Sequence, residues 1–138
     1  MDLTLLTKEL PPLFCSLLVA ILFIQSGLDK VFDWKGNLEW LTGHFSKTFL
    51  KSFVWLMLAK ITVAELLTGF LAAAGIIYFF AAGSTLLIFY ASVLGTASIT
   101  ALFFGQRVAK DYAGAAVLVP YFILLIAMMY LTIPLTKP

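Results

Sequence analysis

Apolar positions run almost unbroken through four stretches, at about 11–32, 52–80, 83–105 and 112–133, with polar residues gathered between them. A helix needs roughly 20 apolar residues to cross the hydrocarbon core of a bilayer. Each stretch is long enough. The pattern therefore predicts an all-α, integral membrane four-helix bundle, built as one domain over 1–138. Pro11 and Pro12 suit the start of the first helix, where a missing N–H costs nothing. Pro120 falls inside the fourth stretch and predicts a kink, and Pro134 ends it. The link AAGS between the second and third stretches forces a tight antiparallel hairpin, and the link GQRVAKDY before the fourth is also short.

The first link, about 33–51, is longer and has its own pattern. Leu38, Leu41, Phe45 and Phe49 recur at three- and four-residue steps, with Trp34 one turn earlier. Lys35, Glu39 and Lys47 occupy other faces. This spacing predicts a short amphipathic helix lying in the membrane interface; a disordered loop is the alternative. Trp34, Trp40 and Trp55 suit an interfacial aromatic belt on either reading.

Composition agrees with the pattern. The chain is 62% hydrophobic and 12% charged, with a mean hydropathy of +1.05, whereas soluble domains are nearer half apolar and a quarter charged. A formal charge of +2, with no basic stripe, does not point to nucleic acid. The single cysteine, Cys15, excludes an internal disulfide and a CxxC motif. The single histidine, His44, lies in the polar first link, so one chain cannot supply two histidines to a haem. No grouping of His, Cys and carboxylates has metal spacing. Membrane lipids are expected partners, and no intrinsic cofactor is implied.

The stretch Leu13–Ile24 follows Lys8 as a signal peptide would, but no small-x-small cleavage site follows it, so a retained helix is expected. Lys30, Lys35, Lys47 and Lys51 flank the first link, and Arg107 and Lys110 sit in the third. Lys8 and Lys137 lie near the termini. The bias predicts a multi-pass protein with its first and third links in the cytoplasm and both termini outside.

Small residues predict close packing. Gly69 and Ala73 form a small-xxx-small pair on the second span, Ser92, Thr96 and Thr100 form a stripe on the third with Gly95 beside it, and Gly114 lies among alanines at the start of the fourth. Such residues let backbones approach and hydroxyls bond between helices.

Two charges fall inside the second span: Lys60 and Glu65, in LMLAKITVAELLTGF. Lys60 is roughly one or two turns inside and can snorkel to the interface. Glu65 lies roughly 7–8 Å deeper. A carboxylate at that depth costs about 2.5–3.5 kcal/mol on insertion scales, so it should face the interior and find donors. Lys60 is five residues away, about 140° round the helix, and is a poor partner. Gln25 and Lys30 on the first span reach the same depth. Asp29, Lys110 and Asp111 collect at the same end and complete a candidate polar pocket with Gln25, Lys30, Lys60 and Glu65. Three uses remain open for Glu65. It can be a brace that fixes helix register, a pocket for a quinone, a lipid head group or a proton, or a contact with a partner helix.

The segments FIQSGLDKVFDW and AELLTGFLAAAGI, with Gly27, Lys30, Glu65, Gly69 and Gly75, resemble the first- and second-helix signatures of the DoxX family. RVAKDYAGAAVLVPYFILL is similar to the fourth-helix region of bacterial members. The resemblance covers nearly the whole chain. It departs from the family where many members carry an arginine early in the first helix; Phe14, Cys15 and Ser16 stand there instead. The resemblance implies a small protein of the bacterial inner membrane. Its relatives are subunits of quinone-linked oxidase systems and maturation or assembly factors. The expected function is a non-catalytic accessory subunit or assembly factor of a larger redox or envelope complex, or a homo-oligomer. The alternatives are a quinone-reactive oxidoreductase subunit exchanging protons through Glu65, and a small proton or solute transporter.

Overall fold

A computed structural model describes residues 2–135. It contains five α-helices: α1 Leu3–Phe32, α2 Trp34–His44, α3 Val54–Ala82, α4 Leu86–Val108 and α5 Tyr112–Thr132. A 3-10 turn, Phe49–Phe53, leads into α3. The segments Leu3–Phe32, Phe49–Ala82, Leu86–Val108 and Tyr112–Thr132 are long and apolar enough to cross a membrane. Lys137, used above to orient the chain, lies outside the described residues.

Chain order sets the packing. α1 packs mainly on α3, α3 on α4 and α4 on α5, and α1 closes the bundle against α5 and α4. Between lipid-facing helices there is little hydrophobic drive, so association rests on close packing. Glycine supplies it at the α1–α3 contact. A Cβ on Gly69 would lie 2.7 Å from the backbone nitrogen of Ile24, and one on Gly27 would lie 2.5 Å from Leu66 Cδ2. The pairing of residue 24 with 69 and of 27 with 66 shows the two helices running antiparallel.

Several boundaries and contacts differ from expectation. The first helix starts at Leu3, eight residues before Pro11, and Pro11 and Pro12 sit inside it. Asp2 caps it by accepting the Thr4 N–H at 3.1 Å, and Leu5 and Leu6 hold the extra turns against the core. The third span is shifted toward the C-terminus, to Leu86–Val108. Gly83 ends α3 in the left-handed region at φ 71°, and its N–H donates to the Phe79 carbonyl. That αL stop replaces the helix start expected at 83.

The small-residue stripes also turn out differently. On α3 the buried line runs Val54, Leu58, Thr62, Glu65, Gly69, Ala72. Ala72 replaces Ala73, which is only half buried, because pure four-residue steps drift by about 40° each. On α4 the same drift carries Thr100 out to the exposed face, leaves Thr96 half buried, and keeps Ser92, Gly95 and Ser98 inside. The hydroxyls of Thr96, Ser98 and Thr100 donate to the carbonyls of Ser92, Leu94 and Thr96 on their own helix. This is the usual outlet for a helical Ser or Thr. Ser16, fully buried on α1, does reach across, donating to the Ala72 carbonyl of α3 at 2.8 Å.

The first link holds the expected short helix, α2, with Phe49 outside it in the 3-10 turn. Trp34, Leu38 and Leu41 are half buried and Phe45 is buried, so the apolar face turns onto the bundle. Trp34 meets Trp55 at the start of α3 edge-to-face, with ring centroids 6.3 Å apart. The other end of α2 reaches α4, where a Cβ on Gly105 would sit 3.4 Å from the Phe45 ring. At about 1.5 Å per residue, α2 is a strut of about 16 Å across one end of the bundle.

Candidate functional site

Glu65 falls on the buried line of α3 and is 2% exposed. Helical side chains lean toward their own N-terminus. In antiparallel α1 and α3, Lys30 and Glu65 therefore lean toward each other from opposite ends. Lys30 Nζ lies 3.0 Å from Glu65 Oε2. The same ammonium donates to Ser26 Oγ at 2.9 Å and approaches the Ser26 carbonyl at 3.4 Å, one turn back on α1. The Lys30 side chain keeps 19% exposure against 3% for Glu65, so the pair opens to the outside only at its lysine end. Among the described residues, no buried side-chain nitrogen or oxygen lacks a hydrogen-bond partner. The pair ties α1 to α3 within one turn of the Gly27 contact and fixes their register.

The other expected pocket residues do not join it. Gln25 and Asp29 lie on the exposed face of α1, beside Ile21, Leu28 and Phe32. Gln25 is five residues from Lys30 and so points about 140° away, while Ser26 at four residues is aligned. Lys60 is exposed on α3, the position expected of a snorkelling lysine. Lys60→Gln should change unfolding stability in detergent by less than about 0.5 kcal/mol.

Asp111 belongs to a second cluster, where the ends of α2, α4 and α5 meet. Its Oδ1 accepts the Gly114 N–H at 2.9 Å and caps α5. His44 Nε2 lies 2.7 Å from Gln106 Oε1 and 3.8 Å from Asp111 Oδ2. Trp40 stacks on the imidazole at 4.4 Å, and Phe45 meets its edge at 5.1 Å. Gly114, expected at a helix contact, instead makes room for the cap. A Cβ there would sit 2.5 Å from Asp111 Oδ2 and 2.8 Å from Gln106 Nε2. Asp111→Ala should cost about 1 kcal/mol through the lost cap, read as a lower unfolding midpoint in detergent. Lys110 stands exposed in the turn before Asp111.

Sequence reasoning missed Ser26, His44 and Gln106. Ser26 was within reach of it, since a serine four residues before a half-buried lysine shares its face. The Asp-x-x-Gly spacing at 111–114, just before an apolar run, likewise marks a helix start rather than a pocket. His44 and Gln106 are 62 residues apart, and only the landing point of α2 joins them.

Chemically, the first cluster is a closed ion pair and the second a hydrogen-bonded latch on α2. No protein-family model matches the chain, and neither a similar curated protein nor a similar solved structure was found.

Proposed function

We propose that this membrane protein is a non-catalytic, DoxX-like accessory subunit or assembly factor of a larger redox or envelope complex, with its α2 end in the cytoplasm. The observation that carries this reading is the closed pair of Lys30 and Glu65. The buried carboxylate, the strongest candidate for proton exchange with a quinol or for an ion path, already holds an ammonium at 3.0 Å that is itself anchored on Ser26. It serves as a brace between α1 and α3. The outward face of α5, with Ile123 and Tyr130 each more than half exposed, is left for lipid or for neighbouring helices.

The test is extraction of the tagged protein from its native membranes in mild detergent, with stoichiometry read by native mass spectrometry. The reading expects a membrane complex of fixed stoichiometry that fails to assemble when this chain is deleted. A solitary chain that by itself turns over quinol, or carries protons across liposomes, would contradict it.

A further inference from the structure

A groove of about 290 Å³ runs along the outside of the α4–α5 contact, lined by Ile99, Thr100, Phe103, Leu118, Val119 and Phe122. Its walls are almost wholly apolar. Toward the α2 end the chemistry changes. Arg107 follows Phe103 by one turn on the same side of α4, since four residues advance a helix by nearly a full turn. Its guanidinium lies over the Tyr112 ring at 4.5 Å, one turn beyond the residues that line the groove. Lys110 follows in the turn between the helices. Both cations are exposed, and neither takes part in an ion pair among the described residues. The one acid beside them, Asp111, is committed to the α5 cap and faces His44.

Lys110 adds a second observation. Its φ is 60°, in the left-handed region, the sole non-glycine residue there among those described. Glycine is the usual choice just past a helix end, because a Cβ is strained in this conformation. A lysine there keeps a charge at this turn against the backbone preference, and strain of that kind clusters at functional positions.

We propose that the groove holds an acyl chain of an anionic phospholipid whose phosphate sits between Arg107 and Lys110. The apolar trough lies between α4 and α5 over about one turn of each helix, where a segment of a lipid tail can lie. The cations stand at its end, outside the hydrocarbon, where a phosphate lies. Arginine supplies paired donors that match phosphate oxygens, and lysine adds a point charge. A zwitterionic lipid fits the trough equally well but adds a cation beside the two already there, so the site selects net negative charge.

The experiment is lipid titration of the full chain by native mass spectrometry, with dioleoyl phosphatidylglycerol against dioleoyl phosphatidylcholine. The expected result is retention of phosphatidylglycerol over phosphatidylcholine by roughly thirtyfold, the scale of two surface cations on an anionic lipid. Arg107→Gln combined with Lys110→Gly should abolish that preference. Lys8→Gln, at the opposite end of α1, should leave it intact. Lys110→Gly also relieves the φ strain, so the double variant should melt no lower than the parent and its loss of lipid is not a loss of fold. Inorganic phosphate and dihexanoyl phosphatidylglycerol, which lack a long tail, should not compete. Equal retention of the two long-chain lipids, an unchanged preference in the double variant, or effective competition by either of these two probes would each overturn the proposal.

Discussion

Lys30→Met is expected to destabilise the bundle by about 3 kcal/mol, and Glu65→Gln by less. The asymmetry comes from burial. Without Lys30, a carboxylate that is 2% exposed is left among apolar helices with no cation beside it. Without the Glu65 charge, Lys30 keeps Ser26 and its 19% exposure, and its long stem allows the ammonium to swing outward. Replacing both partners, as Lys30→Met with Glu65→Leu, should return stability to within about 1 kcal/mol of the parent, because an apolar pair needs no compensation. Unfolding with a denaturing detergent, monitored by helicity, gives all three values. Two single variants that unfold with the parent would show that the pair braces nothing.

The second large effect is expected at the α1–α3 crossing. Gly69→Ala should cost about 2–3 kcal/mol, the upper range for overpacking. Its new methyl would meet the Ile24 backbone nitrogen at 2.7 Å and Cα at 3.2 Å, so the whole of α1 has to move. Gly27→Ala should cost about 1 kcal/mol, because its nearest atom is the mobile end of the Leu66 side chain. The order of the two is the sharper test. Separating α1 from α3 at Gly69 also pulls on the Lys30–Glu65 contact, so the two effects should not simply add. Equal costs for the two alanines, in the same unfolding assay, would contradict the crossing geometry.

The parts of this fold that sequence made plain are those set by local pattern. Hydropathy places four helices because a bilayer demands long apolar runs. Depth counting puts Glu65 inside and Lys30 at its level, and the two do meet. The 140° rule that separates Lys60 from Glu65 applies equally to Gln25 and Lys30, and it removes Gln25 from the site. Ser26 takes its place. Helix ends were harder to read. Two prolines at 11 and 12 look like a start, yet the Asp2 cap and the leucines beyond them carry the helix back to Leu3. The latch of His44, Gln106 and Asp111 depends on where an 11-residue strut comes down, and no local rule contains that distance. The polar residues at this end therefore look like one pocket in sequence but separate into a brace, a latch and a cationic groove mouth.

The central claim is that the buried pair holds the bundle together and performs no chemistry. The most direct test is to restore the charge-free Lys30→Met/Glu65→Leu protein to cells lacking the parent chain. Its native complex is then isolated, after its fold has been checked by melting. The account predicts the same complex, in the same stoichiometry and with the same activity. A folded double variant that assembles but leaves the complex inactive would contradict it, and would give the pair a part in the chemistry.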